Sequence, residues 1–227
     1  MADFRLRVTY AETGRLVMLS HLEIARALER AVRRAGLPYA VSQGFSPHMK
    51  QAFGSALPVG VGGLEEIFDV SLTDYVPPEE ALARLRASSA PDLMPHAARY
   101  ITKDETAAST AYPRSTYEAL LEASRSGDCE MDVLAVAHEL SLPSEITVVR
   151  KKKERVLVPS EFVVGELEVE PAEPGEEGQS RALVRFTLES KAWGSLRPDV
   201  LLEHMLADSD LRAASILRTK QSEIPKE

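Results

Sequence analysis

Ser20 to Lys50 reads SHLEIARALERAVRRAGLPYAVSQGFSPHMK, and its helix, stop and turn set the order of elements on either side. Ser20 is a helix N-cap, and Glu23 three residues on completes a capping box. Ile24, Ala27, Leu28, Ala31 and Ala35 recur at helical spacing and predict the buried stripe. Gly36 stands where a helix end favours a left-handed residue, and Pro38 prevents continuation. The helix therefore delivers the chain directly into SQGFSPH, a run that core packing does not require.

Before the helix, Phe4–Ala11 alternates apolar and polar residues as a half-buried strand does, and Gly14 turns the chain. After it, YAVSQ predicts a short strand, GFSPH a turn, QAFGSALPVGVGG an apolar glycine-interrupted segment and EEIFDVSL a strand. PPEEALARLRAS predicts a helix with Ala81, Leu82 and Leu85 inward, and LMPHAARYIT a closing strand. The order is β-α-β-β-α-β, the ferredoxin-like arrangement. KDETAAST is small and polar, a linker.

The order then recurs more faintly. STYEALLEA is a strand, MDVLAVAHEL a helix, ITVVRKKKERVLV a strand or hairpin, and RALVRFTLES a strand. PDVLLEHMLAD is a helix and RAASILRTKQ a final strand, while acidic EPAEPGEEGQ predicts a solvated hairpin loop. The expectation is an α+β chain of two ferredoxin-like halves side by side, residues 1–102 and 111–227, joined by a linker at 103–110.

Hydrophobic residues make up 44% and charged residues 27% of the 227, which excludes a mostly disordered chain. MADFRLRVTY lacks an apolar leader core, and no run approaches the roughly 20 apolar residues that span a bilayer. Cys129 is the single cysteine, so neither an internal disulfide nor a cysteine-rich metal site is available. The expectation is a soluble cytoplasmic protein with no membrane contact.

The net charge of −8 argues against a general nucleic-acid coat. Charge is uneven, however. Arg5, Arg7, Arg15, Arg26, Arg30, Arg33, Arg34 and Lys50 face only Asp3, Glu12, Glu23 and Glu29 in the first sixty residues. RKKKER at 150–155 is a second basic run, and GELEVEPAEPGEEG at 165–178 holds much acid. Screening confines such fields to roughly 8–10 Å, so local sign governs an anionic ligand.

Arg26, Arg30, Arg33 and Arg34 fall on one helix face, where guanidinium forks suit phosphates and stack on bases; a solvated basic face is the plain alternative. In the turn, Gly44 allows close backbone approach and Phe45 offers a stacking face. Ser42, Ser46 and His48 bond, Pro47 stiffens and Lys50 adds charge. The alternative is an ordinary turn with Phe45 in the core. Ser20 and His21, at the helix start, extend this candidate surface.

The five histidines form no zinc spacing, so no metal is expected. His48 beside Ser20, Ser42 or Ser46 is a weak catalytic candidate. ALPVGVGG lacks the Lys-Ser/Thr of a phosphate-binding loop and opens no helix as a dinucleotide fingerprint must, so no cofactor is expected. Trp193 predicts a cover for the core, and RKKKER an exposed hairpin tip.

SHLEIARALERAVRRAGLPYAVSQGFSPHMKQAFGSALPVGVGG resembles the opening of the bacterial radical SAM-linked proteins. Their pattern is S-H-L-D, R-A-x-R-R-A-G-L-P, S-x-G-F-x-P-H-P and L-P-x-G. Ser20, His21, Arg33, Arg34, Ser42, Gly44, Phe45, Pro47 and His48 match it over roughly the first seventy residues, and the second half is loosely similar. Glu23 replaces the aspartate, Met49 the second proline, and GGLEE the serine-acid stretch. Proteins of this family occur fused to, or encoded beside, a cobalamin-binding-type radical SAM protein, often near ribonuclease and ribosomal-protein genes. The resemblance therefore implies a radical SAM partner. The chain itself has no C-x-x-x-C-x-x-C cluster motif.

Three functions compete. The first is a non-catalytic RNA-binding or substrate-handling accessory to a separate radical SAM enzyme. The second is a protein adaptor for that enzyme. The third is an RNA-processing enzyme using His48, by fold analogy with RAMP-type endoribonucleases.

Overall fold

A computed structural model describes residues 4–124, 131–150, 153–175 and 178–224. Cys129, Lys151, Lys152, Glu176 and Glu177 lie outside the described residues. The chain divides into two compact units, Met1–Tyr112 with Gln221–Glu227, and Pro113–Lys220.

In the first unit the chain runs β1 (Phe4–Glu12), a 3-10 turn at Gly14–Met18, α1 (His21–Arg34), β2 (Gln51–Phe53), β3 (Val61–Leu72), α2 (Pro78–Ser88) and β4 (Leu93–Ile101). A four-residue helix, α3 (Ala108–Ala111), follows. β1 pairs antiparallel with β3 and β4, and β2 antiparallel with β3, giving the ferredoxin-like order 4-1-3-2. Leu6, Val8, Phe68 and Val70 from the sheet meet Ile24, Leu28 and Val32 of α1 and Ala81 and Leu85 of α2 in one core. The alternation of β1 and the helical stripe of α1 are thus two halves of one buried surface.

Both ends of α1 follow from local chemistry. Glu23 Oε2 accepts from the Ser20 amide at 2.8 Å and from Ser20 Oγ at 2.7 Å. These bonds, the side-chain one first, hold the Glu23 carboxyl below the usual carboxylate range. At the other end Gly36 has φ +62°, with Leu37 N bonded to Val32 O and Gly36 N to Arg33 O. That is a Schellman closure, and it aims the chain at Pro38.

The expected strand YAVSQ is corrected. Only the isolated bridges Tyr39–Leu72 and Val41–Met49 form, and the strand that pairs with β3 is Gln51–Phe53. The reason lies in the bonding: Ser71 O accepts from Ala40 N, but Ser71 N donates to Lys50 O, so residue 50 takes over the ladder.

The second unit runs β5 (Arg114–Ala123), α4 (Val133–His138), β6 (Ile146–Arg150), β7 (Lys153–Leu157), β8 (Val163–Pro171), β9 (Ala182–Glu189), α5 (Pro198–Met205) and β10 (Leu211–Ser222), the last two residues of which count with the first unit. The neighbours β10–β5–β9–β8 repeat the 4-1-3-2 order. β6 and β7 stand apart as a two-stranded hairpin inserted between α4 and β8. β8 is an element that the sequence reading left unassigned; its pairing with β9 ends at Pro171–Ala182, beyond which the acidic connection begins. Phe162, Phe186, Val184, Leu121, Ala137 and Leu201 are buried in this unit. Among the described residues, no helix is long and apolar enough to cross a membrane.

Candidate nucleic-acid interface

Residues 41–49 form a loop that the backbone closes. Val41 and Met49 bridge, Ser42 N donates to His48 O at 2.8 Å, and Lys50 N donates to Ala40 O at 2.9 Å. Ser42 Oγ accepts from the His48 amide at 3.1 Å and lies 2.9 Å from His48 Nδ1, which is also 3.3 Å from Ser46 O. Met49 is only 2% exposed and anchors one leg in the core. The result is a pinned base with a projecting tip, in which Gly44 at φ +142° reverses the chain.

At that tip Phe45 is fully exposed. Burying such a ring would contribute about 1.5–3 kcal/mol, and the pinned loop forgoes it. His48 is exposed too. With Nδ1 held by Ser42 and Ser46, its Nε2 is the nitrogen left for a ligand. The Ser42–His48 spacing is within reach for a nucleophile and base, but among the described residues no carboxylate bonds this ring to orient it.

The arginines of α1 separate into two pairs. Arg33 bonds Glu29 at 2.6 Å and covers the Tyr39 ring at 5.4 Å. Its pKa is raised, first by the Glu29 bond. Arg34 donates Nη2 and Nε to Ser88 O at 2.6 and 3.2 Å, satisfying a terminal carbonyl of α2. Arg26 and Arg30 are exposed and make no ion pair among the described residues. Lys50 is exposed beside the loop.

His21 belongs to a different grouping. Its ring meets Phe53 edge-on at 5.3 Å and lines a small hollow with Tyr10, Glu12, Ser55 and Glu66; none of residues 42–48 lines it. Glu12 and Glu66 are buried there. The sequence held the signal: Glu12 follows Leu6, Val8 and Tyr10 on the core-facing parity of β1, and Glu66 precedes Phe68 and Val70 on β3. Among the described residues, no group of three or more His, Cys, Asp or Glu could hold a metal ion.

The half-buried sheet face of the second unit is occupied by its own charges. Arg114 pairs with Glu189 and Arg185 with Glu118 directly across β5 and β9, with Thr116 bonded to Thr187 between them. Arg185 also reaches Glu168, and Glu122 takes Arg181 and Arg212. The aromatic residues of these strands, Tyr117 and Phe186, stack at 5.7 Å on the buried side. This face therefore lacks the exposed aromatics with which ferredoxin-like RNA-recognition sheets stack bases.

Residues 5–198 match the model of a family described as an uncharacterized protein conserved in bacteria (DUF2344). A search of the curated proteins gives no match. Among solved structures the chain is similar to an H/ACA RNP bound to a substrate RNA containing 2'-deoxyuridine, at 13% identity and TM-score 0.43. It is similar to a Cbf5-Nop10-Gar1 complex at 14% identity and TM-score 0.44. The alignments cover 95% of this chain in both cases, and 47% and 48% of the other chains, so it spans about half their length. An unknown protein from Galdieria sulphuraria aligns over 99% of this chain and 100% of its own, at 13% identity and TM-score 0.26. Likeness at these scores assigns no function.

Proposed function

We propose that this chain, which belongs to the DUF2344 family of proteins conserved in bacteria, is a non-catalytic RNA-binding accessory that holds substrate for a separate radical SAM enzyme. The observation that carries the RNA reading is the fully exposed Phe45 on a loop pinned at its base. An aromatic held rigidly in solvent loses little entropy on stacking against an unpaired base, and each such stack contributes about 1–3 kcal/mol. Arg26, Arg30 and Lys50 supply outward cations for phosphates. Arg33 and Arg34, although exposed, are already engaged by Glu29, the Tyr39 ring and the Ser88 carbonyl. The radical SAM partner rests on the resemblance carried by the SHLE and GFSPH motifs.

The adaptor reading has its own support. Met18 at the end of the 3-10 turn, Leu22 in the first turn of α1, and Val59, whose neighbour Gly60 donates to Val17 O at 2.7 Å, are exposed apolar side chains. Such a patch suits a protein partner.

The test is fluorescence anisotropy of labelled cellular RNA fractions across a salt series, paired with capture from lysate with and without ribonuclease. Wild type should bind with a steep salt slope. Arg26→Ala/Arg30→Ala should flatten that slope by roughly two, one per lost phosphate contact. Phe45→Ala should weaken binding at every salt. Binding indifferent to both changes rejects the RNA surface, and a radical SAM protein captured after ribonuclease with no enriched RNA selects the adaptor.

A further inference from the structure

The β6–β7 hairpin lies outside the ferredoxin-like order, and the sequence from Arg150 to Arg155 carries five cations against Glu154. Such a run repels itself, and a polyanion would relieve the repulsion. One of these cations is placed with care. The Arg155 guanidinium lies 5.4 Å from the centroid of the Trp193 ring and donates Nη2 to Trp193 O at 2.7 Å.

Trp193 sits in a tight turn in which Lys191 and Gly194 exchange backbone bonds at 2.8 and 3.1 Å. Gly194 is what leaves the guanidinium its seat, because a Cβ there would come within 3.1 Å of both Arg155 Nη1 and Nη2. The indole is braced edge-on by buried Phe162 at 4.9 Å, yet Trp193 remains 50% exposed. Lys153, on the same strand as Arg155, is exposed as well. A core cover would hide the ring; this one is oriented, supported from below and open to water.

We propose that Trp193, Arg155 and Lys153 form a second nucleic-acid site, for a single strand, in which an unpaired base stacks on the indole–guanidinium pair and the lysine contacts phosphate. The chemistry is that of a stacking platform beside cations, which favours unpaired over duplex nucleic acid because a paired base keeps its faces covered. This site lies in the second unit and does not depend on the Ser20–Lys50 surface binding anything.

Trp193 is the single tryptophan, so its emission reports this site directly. The full chain is titrated with a single-stranded oligouridylate, a duplex RNA and inorganic polyphosphate, following Trp193 emission and, in parallel, anisotropy of the labelled RNAs. Quenching by the single strand, with little from duplex or polyphosphate, is the expected result. Lys153→Ala/Arg155→Ala should weaken the single-strand titration on the order of tenfold. Equal quenching by polyphosphate overturns base stacking, as does equal quenching by duplex. RNA bound by anisotropy while Trp193 emission stays unmoved overturns this site and leaves the Ser20–Lys50 reading intact. A synthetic acidic peptide that quenches better than the oligouridylate overturns the choice of nucleic acid as occupant.

Discussion

Asp69→Ala should be among the most damaging single changes in the first unit. Arg7 Nε and Nη2 reach Asp69 Oδ1 and Oδ2 at 2.7 and 2.9 Å, and both side chains are 5% exposed. Arg7 also donates to Thr106 O at 2.8 Å, and Asp69 accepts from Ala108 N at 3.3 Å, so the pair holds residues 106–108 against the sheet. The Asp69 bond is the main cause of the raised pKa of Arg7; without it the guanidinium still stays charged, because arginine does not lose its proton in proteins. Removing the carboxylate leaves a buried cation without its counter-charge, at a cost of about 3–5 kcal/mol. With a urea slope of about 2 kcal/mol/M, the first unit's midpoint should fall by about 2 M. The assay is urea unfolding by far-UV circular dichroism, with amide exchange at β1 and β3 to assign the loss to this unit. A fall below about 0.5 M would show that water replaces the carboxylate and would refute the reasoning. Arg7→Met/Asp69→Leu is the control: with no charge left buried, it should lie close to wild type.

Other outcomes can be checked as readily. Gly36→Ala should cost roughly 1–2 kcal/mol by thermal melting, since φ +62° crowds a Cβ against its own carbonyl. The Glu23 carboxyl titrates low because its ionised form caps Ser20, so the helix start should keep this support above the ordinary carboxylate range and lose it as pH falls. Amide exchange at the first turn of α1 between pH 7 and pH 3 reads this, and Glu23→Ala should abolish the difference. Ser42→Ala removes the bonds to the His48 amide and ring, so backbone NMR should show residues 43–47 more mobile, and RNA affinity should fall less than in Phe45→Ala.

Some of the molecule is plainly written in the sequence. Ser20, Glu23, Gly36 and the apolar stripe of α1 are local devices, and each acts within a few residues of itself. The doubled β-α-β-β-α-β order is legible in outline because element type depends on periodicity, but its second strand falls elsewhere in both halves, at Gln51–Phe53 and not YAVSQ, and at β8 and not ITVVRKKKERVLV. Long-range pairing is harder to see. YAVSQ has strand composition, yet Lys50 takes the ladder position beside Ser71. β8 is masked by its glutamates, which lower apparent strand propensity while standing on the solvent side of an alternating strand. For the candidate site, exposure of Phe45 could not be read from composition, because a phenylalanine in a turn packs inward as readily as outward. Nor could the division of the arginines, since Ser88 and Tyr39 come to Arg34 and Arg33 only through the fold.

β8 is the terminal strand in the second unit's 4-1-3-2 order, with Glu166, Glu168 and Glu170 along one face. Arg185 partly balances two of them, and Glu166 has no ion pair among the described residues. A strand so loaded is a poor template for another molecule's backbone, because stacking a second copy in register would set carboxylate against carboxylate. The acidic border thus bears on colloidal behaviour as much as on folding. Exchanging these glutamates for valines should leave the fold standing and make concentrated solutions assemble edge to edge, seen as growth in light scattering and thioflavin-positive fibres.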